Sequence, residues 1–198
     1  MIATENETYQ EQHATFQLQS SPAWLVELRQ RGFDAFTRLG IPTKRLEDWR
    51  FTNIATLVNR PYGLASLAHS DDETINNEIM ALVQQATLDE EFHRLVFING
   101  RYSDEWSLRH DLSVGVVIDN LGSAICDHPS DVQTLLASDH SFDDSTFAAL
   151  NTAFINDGAF IDIPDGVVLD RPVHLVFLSI GSSHTVSHPR NLIRVGKH

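Results

Sequence analysis

The sequence predicts an α+β protein, in which helices and a hairpin come first and a run of short strands comes last. The stretch 150–179 carries this prediction, because it opens as a helix that stops at Gly158 and continues as three short apolar runs. Turn-forming triplets separate these runs, which is typical of strands. The runs lie at 159–163, 167–169 and 173–178. Short strands with a corner every few residues predict a chain that winds round a core, with one face for each strand.

The first 156 residues supply the predicted helices. One helix is expected from Ser21, its N-cap, to Gly40, because the apolar residues between them fall on one face. Gly32 lies on that stripe, and either a close helix crossing or a chance weak position would account for it. The polar residues 1–20, rich in Gln and Thr, predict a loose arm or a frayed helix. Three further helices are predicted. One begins at Ser70, where residues 70–73 fit a capping box, and the others span 130–137 and 145–155.

A β-hairpin is predicted in the middle of the chain. Leu95–Ile98 is an apolar strand, and the Asn99-Gly100 pair that follows tolerates the positive φ angles of a tight turn. Arg101 and Tyr102 then begin the return strand. Further strands are predicted over 114–118 and 191–195.

Composition limits the possible functions and compartments. The chain has 198 residues with 14 basic and 27 acidic side chains, so its net charge of −13 argues against non-specific nucleic-acid binding. Cys126 is the single cysteine, which excludes an internal disulfide and suits a reducing compartment. Met1 is followed by acidic residues rather than a signal peptide's apolar segment, and no apolar run approaches the ~18 residues of a membrane span. We therefore expect a cytoplasmic protein with neither nucleic acid nor membrane as a partner.

Side chains of the types that carry metal or nucleophile chemistry have simpler explanations here. Cys126 and His128 could form a thiolate or metal site, but a small buried apolar cysteine is the expected role of Cys126. His184 and His188 have the i, i+4 spacing of a helical metal site. The residues around them disfavour a helix, so we expect a solvated loop there. No phosphate-binding glycine loop and no nucleophile elbow occur in the sequence.

Four aspartates accompany the short strands: Asp157, Asp162, Asp165 and Asp170. In a coiled β architecture such carboxylates can line an outer groove for calcium or for acid–base work on a sugar. Turn chemistry explains Asp165 and Asp170 equally, and the helix end explains Asp157. Asp162 alternates with apolar residues, so it is expected to point outward.

The segment 41–54 mixes cations, carboxylates and aromatic residues within a short distance. One interpretation is a docking surface with Trp49 as its anchor and Arg45 or Arg50 beside it. The other is a connector, in which Trp49 and Phe51 pack on the helix that precedes the segment while Arg and Glu side chains pair at the surface. The sequence leaves both open.

The same segment begins a resemblance to a known family. Residues 41–43 and 47–52 resemble the "GLPT…EEW+YT" signature of the SufB/SufD family of iron–sulfur cluster assembly, although Asp48 and Phe51 replace the commoner Glu and Tyr. Residues 95–102 resemble the family's "LVFVNGRY" hairpin. Residues 150–154, Gly158, 163–167 and 171–175 resemble the entry to its β-helix, and residues 188–195 also resemble the family. The motifs occur in the family's order over residues 22–195.

The resemblance implies an N-terminal helical α/β cap over residues 1–156, with 1–20 flexible, followed by the first turns of a right-handed parallel β-helix over 157–198. It implies the N-terminal half of a longer subunit, truncated at residue 198. Such a subunit is a non-enzymatic scaffold in a complex of the SufB–SufC–SufD type, and it supports cluster assembly and iron acquisition. A SufB-like paralogue and a SufC-like ATPase would contact the intact protein. No catalytic, metal or cofactor-binding residue is carried over, since the full complex handles the iron–sulfur cluster.

Two other hypotheses remain open. The first is a parallel β-helix enzyme that acts on acidic carbohydrates through Asp162, Asp165 or Asp170. The second is a homodimer, in which unpaired β edges of two copies of this piece meet. Convergent carboxylates would support the first, and the oligomeric state would test the second.

Overall fold

The computed structural model describes residues 2–54, 62–65, 73–181 and 184–197. Within these ranges the fold is mixed α+β, as the sequence predicts, with six α-helices, two short 3₁₀ turns and eight strands in three small open sheets. The helices are α1 (Ile2–Gln17), α2 (Ala23–Leu39), α3 (Glu73–Ala86), α4 (Leu121–Asp127), α5 (Pro129–Ala137) and α6 (Thr146–Ala153). The strands are β1 (Gly63–Leu64), β2 (His93–Ile98), β3 (Arg101–Leu108), β4 (Val117–Asn120), β5 (Ala159–Ile163), β6 (Val173–Leu178), β7 (Thr185–Val186) and β8 (Leu192–Val195).

The chain forms two compact units, each assembled from separate segments. The first unit contains Met1–Leu64, Ala137–Ile155 and His184–Val186, and therefore holds α1, α2, α6 and the short β1–β7 pair. The second contains Ala65–Leu136, Asn156–Ser183 and Ser187–His198, and holds most of the β-structure. The predicted boundary near residue 156 stays a prediction.

Close packing of α2 on α6 organises the first unit. A Cβ on Gly32 would lie 2.7 Å from the backbone nitrogen of Ala153 and 2.9 Å from the side chain of Thr152. The glycine on the apolar stripe of α2 therefore marks a close helix crossing. The helix ends at Gly40, as predicted, with a φ angle of 65° that an L side chain rarely adopts.

The start of α2 differs from the prediction. Ser21 does not cap the helix, which begins at Ala23 with Pro22 in the N-cap position and no capping side chain. The Ser21 hydroxyl instead accepts a hydrogen bond from Nη1 of Arg29 at 2.8 Å. Arg29 is fully buried, and its Nε donates to the carbonyl of Ile155 at 2.8 Å, so burial of this arginine determines the role of Ser21.

Residues 1–20 contain a helix with packed side chains in its second half. The His13 ring stacks on Phe33 of α2 with centroids 4.3 Å apart, and Phe16 is buried. Tyr9 meets Phe36 edge-on at 5.3 Å. The polar composition of this segment predicted a loose arm or a frayed helix, because it obscures a spacing of four and three residues that places three aromatic rings on one face.

Two sheets and a helix form layers in the second unit. The first sheet has the order β3-β2-β6 and the second β4-β5-β8. Alternate residues of β2 face opposite ways, so Val96 packs with Ile79 and Val83 of α3, whereas Leu95 packs with Ile161 of the second sheet. The apolar core therefore lies on both sides of β2.

The β2–β3 hairpin is confirmed. Asn99 and Gly100 have φ angles of 53° and 78°, as a tight two-residue turn requires. The ladder is interrupted between Arg94 and Val96, where the Ser107 hydroxyl accepts a hydrogen bond from the Val96 backbone N–H at 2.9 Å. This side chain replaces a missing backbone partner at the irregularity.

Strand β8 pairs with β5 at a constant offset in sequence. β5 pairs in parallel with β8, and every partner lies 32 positions further along the chain, as in the pair Ile161–Ile193. β6 pairs in parallel with β2. A Cβ on Gly158 would lie 2.0 Å from the carbonyl oxygen of Arg190, so only glycine allows this close approach. The chain thus winds through one stacked turn.

Several element predictions need correction. Residues 167–169 form no strand, although they are apolar and Val167 and Leu169 are partly buried, because they connect β5 of one sheet to β6 of the other. The strand predicted over 114–118 begins at Val117, since Gly115 occupies a turn with a φ angle of 85°. Helix α4 was not predicted. The capping box at 70–72 lies outside the described residues.

Candidate functional site

The segment 43–52 forms a compact series of turns. A short 3₁₀ helix spans Glu47–Trp49. Backbone hydrogen bonds join Leu46 N to the Thr43 carbonyl at 3.0 Å and Thr52 N to the Trp49 carbonyl at 3.0 Å. These bonds fix the backbone locally, so the side chains project from a defined frame.

The aromatic side chains of this segment have different environments. Trp49 is half-buried, and its ring lies 5.5 Å from that of Phe147 on α6. Phe51 is 93% exposed and Leu46 is 53% exposed. The connector interpretation placed both Trp49 and Phe51 on the preceding helix, whereas the Trp49 ring contacts Phe147 of α6 and Phe51 faces solvent. Trp49 therefore packs the segment against α6, whereas Leu46 and Phe51 are its accessible apolar side chains.

The cations of the segment face solvent. Arg45 and Arg50 are exposed, and no carboxylate in the described ranges pairs with either of them. The Arg50 guanidinium lies 5.6 Å from the centre of the Phe51 ring. The Arg–Glu pairs of the connector interpretation are therefore not found. A docking role for Arg45, Trp49 and Arg50 stays a prediction, and Leu46, which sequence reasoning missed, lies beside them.

Asp157 is a buried hydrogen-bond centre. Its side chain is only 7% exposed. Oδ1 accepts from the Asn120 side-chain amide at 3.1 Å, from Gly122 N at 3.1 Å and from Gly158 N at 2.9 Å, and Oδ2 accepts from Tyr102 N at 2.8 Å. One carboxylate therefore joins the hairpin, the first turn of α4 and the start of β5. This role is structural, and its partners were not evident from the sequence.

The other three aspartates serve separate contacts. Asp162 is buried, contrary to the expectation that it points outward, because Arg194 binds both of its oxygens, with Nε donating to Oδ1 at 2.6 Å. Asp165 accepts from the backbone N–H of Lys197 at 2.7 Å. Asp170 is exposed in the loop before β6. Nothing in this arrangement favours the carbohydrate hypothesis, which requires two carboxylates that act on one substrate.

The described cysteine and histidine side chains form no evident metal centre. Cys126 is exposed, so its predicted burial is wrong: the neighbouring Ala124 and Ile125 take the buried face of α4. His184 lies in a bend with a φ angle of 73°, which confirms that no helix aligns it with His188. Burial lowers the pKa of His188 to about 4. Among the described residues, no group of three or more His, Cys, Asp or Glu side chains could hold a metal ion.

No helix in the described part of the chain combines the length and apolar character that crossing a membrane requires.

Comparisons with known proteins agree with the motifs of the sequence. The family model described as "SufBD protein N-terminal region" matches residues 4–175. An "Iron-sulfur cluster assembly SufBD family protein" of Synechocystis is 29% identical over 156 residues, which are 79% of this chain and 33% of the relative. The "Iron-sulfur cluster assembly protein SufD" of Bacillus subtilis is 29% identical over 164 residues, which are 79% of this chain and 35% of the relative.

A third relative, an "Iron-sulfur cluster assembly SufBD family protein" of Mycobacterium tuberculosis, is 28% identical over 166 residues, 80% of this chain and 19% of its own length. The chain thus spans about a third of the length of the first two relatives. Because the family model covers most of the 198 residues, including the segment 43–52, the hairpin and the Asp157 centre, the chain belongs to the SufBD family through that family's N-terminal region.

Proposed function

We propose that this chain is the N-terminal part of a SufD-like scaffold subunit in an iron–sulfur cluster assembly complex of the SufB–SufC–SufD type. The observation that carries the proposal is the family match over residues 4–175. Its relatives' names, which include a SufD, support cluster assembly as the process. In this role the subunit supports cluster assembly and iron acquisition without catalysis of its own, in the cytoplasm.

The stacked turn supports a parallel β-helix as the architecture of the region that begins at residue 157. β5 and β8 stack in parallel at an offset of 32 residues, and β6 adds in parallel to β2. Ile193 and Val195 of β8 are exposed, although their partners on β5 face the core. Further turns that stack on β8 would cover both side chains. Crossovers between parallel strands are right-handed in the great majority of proteins, which supports a right-handed helix.

The proposed partners are a SufB-like paralogue and a SufC-like ATPase, which would contact the whole protein. The test is co-expression of the full-length protein with its SufB-like and SufC-like counterparts, followed by affinity capture and size-exclusion chromatography. We expect a stable three-component complex. Elution of the full-length protein alone, with both counterparts soluble in the same extract, would overturn the proposal.

The 198-residue chain provides the matched control. It is expected not to capture the ATPase, since we place that contact in the remainder of the protein. Its exposed β8 edge leads us to expect self-association, so light scattering should report a dimer or larger species. A homodimer of this kind is an alternative to continued stacking for the same edge. A monomer with a reversible melt would contradict the expected self-association.

We further propose that the iron–sulfur cluster is cargo of the complete complex and that these 198 residues bind no cluster. After anaerobic incubation with iron and sulfide, the isolated chain should retain far less than one iron per chain. Stoichiometric retention of iron with a visible charge-transfer spectrum would show that the chain itself contributes ligands.

A further inference from the structure

Positive charge is concentrated in one part of the sequence. Residues 29–60 contain seven of the 14 basic side chains and only three of the 27 acidic ones. This stretch therefore has a net charge of +4 in a chain whose net charge is −13. Such asymmetry steers a negatively charged partner to the positive region and away from the rest.

Residues 44–51 carry three cations and two carboxylates, a net charge of +1, together with accessible apolar area. We define the 44–51 surface by Lys44, Arg45, Leu46, Arg50 and Phe51, all of which are exposed. Arg45 and Arg50 have no carboxylate partner in the described ranges, so their charges are available to another molecule. Phe51 offers almost its whole ring.

A ring contact and a 3₁₀ turn fix the position of the 44–51 surface. The ring contact between Trp49 and Phe147 joins the segment to α6, and the 3₁₀ turn at Glu47–Trp49 limits its backbone freedom. Binding therefore requires little ordering of the backbone, which reduces the entropic cost of association.

We propose that the 44–51 surface binds an acidic polypeptide segment of another protein, one that carries an apolar side chain among its carboxylates. Arg45 and Arg50 would pair with the carboxylates, and Leu46 and Phe51 would contact the apolar side chain. This contact is separate from the proposed contacts with the paralogue and the ATPase, so each can fail without the other.

A polypeptide fits this surface better than a nucleic acid or an anionic membrane does. Glu47 and Asp48 are exposed between the cations, and they would repel phosphate groups at close range. A peptide of mixed composition can pair with the cations and place its own polar groups near the two carboxylates.

The test uses the 198-residue chain and a fluorescently labelled synthetic peptide composed of Glu, Asp, Ser, Leu and Phe, with binding followed by fluorescence anisotropy at low salt. A peptide of equal charge with Ser and Gly in place of Leu and Phe isolates the apolar contribution. A poly-dT oligonucleotide and vesicles with anionic phospholipid represent the competing ligands. We expect saturable binding of the acidic apolar peptide alone.

Variants at exposed positions keep the fold intact and locate the contact. Arg45→Glu is expected to weaken binding about tenfold, because it replaces attraction by repulsion. Lys197→Glu changes the net charge equally at another exposed position and should weaken binding less than about twofold. Phe51→Ser should weaken binding about tenfold, whereas Leu88→Ser, at another exposed apolar residue, should leave it unchanged.

Three outcomes would overturn the proposal. The first is no peptide binding up to about 1 mM, the weak limit of a specific contact. The second is equal weakening by Arg45→Glu and Lys197→Glu, which would show only a general charge effect. The third is tighter binding of the oligonucleotide or the vesicles with the same sensitivity to Arg45→Glu, which would assign the surface to that ligand instead.

Discussion

Replacement of Asp157 by alanine tests whether one carboxylate joins three parts of the second unit. The side chain accepts hydrogen bonds from three backbone N–H groups and from the Asn120 amide, and it is almost completely buried. Alanine would leave all four donors without this acceptor. The change should therefore destabilise the hairpin, the start of α4 and the start of β5 together.

The structure gives a magnitude for this effect. A buried donor that loses its acceptor costs about 1–3 kcal/mol, and four donors set an upper bound that water entry and relaxation will reduce. We expect Asp157→Ala to lower the free energy of unfolding by about 4 kcal/mol, against a typical total of about 5–15 kcal/mol. Asp157→Asn keeps Oδ1, which serves three of the donors, and should cost only about 1–3 kcal/mol through the N–H of Tyr102.

Urea denaturation followed by circular dichroism measures both variants, and an unchanged slope with denaturant shows that the change is one of stability. Asp111→Ala is the control, because it removes the same charge from an exposed position and should cost less than about 0.5 kcal/mol. The reasoning would be refuted if Asp157→Ala cost less than about 1.5 kcal/mol. It would also be refuted if Asp157→Asn were as damaging as Asp157→Ala.

The remaining predictions concern packing, pH and the ion pair between the buried Asp162 and the exposed Arg194. Gly32→Val should cost about 2 kcal/mol in urea denaturation, because its Cβ would lie 2.7 Å from a backbone nitrogen of α6, whereas Gly63→Ala, in open space, should cost almost nothing. Between about pH 6.5 and pH 4 the unfolded state takes up a proton on the His188 ring that the folded state does not. The free energy of unfolding should therefore fall by about 3 kcal/mol from this residue as the pH is lowered over that range. His188→Gln should reduce the slope of that part of the stability–pH curve, to which His13 and His93 still contribute because burial lowers their pKa values too, and an identical curve would refute the assignment. Arg194→Ala should cost about 1–3 kcal/mol, because it leaves the carboxylate of Asp162 buried without its cation, and a neutral result by thermal melting would contradict the pairing.

Features of the fold that depend on neighbours in sequence could be predicted. The turn residues Asn99 and Gly100 define the hairpin without reference to the rest of the chain. The bounds of β5 and β6 match the first and third of the three predicted apolar runs. The sequence left a close crossing at Gly32 as one of two explanations, and the structure shows the crossing and identifies α6 as the other helix.

Features that depend on distant contacts could not be predicted. Asp162 alternates with apolar residues like an outward-facing side chain, yet Arg194, 32 positions later, makes its burial possible. The donors to Asp157 lie up to 55 positions away. Exposure of Cys126 depends on which face of α4 packs, and a helix of seven residues has too little periodicity to specify it.

Some features of the candidate surface could likewise be predicted from local sequence, and others could not. Its residue types, Arg45, Trp49 and Arg50, were evident because cations and aromatics concentrate in one short segment. Whether the arginines pair internally depends on side-chain geometry that local sequence does not determine. The structure leaves them exposed, and it shows that Phe51 is accessible while Trp49 packs on Phe147.

The central position of β2 has a consequence for synthesis of the protein. Its second neighbour, β6, lies 80 residues further along the chain, as in the pair Val96–Val176. While the ribosome makes those residues, the apolar β2 has one open edge to which another nascent chain can add. Release of polypeptides that stop short of residue 173 should therefore yield insoluble material, whereas those that extend past residue 178 can complete the sheet.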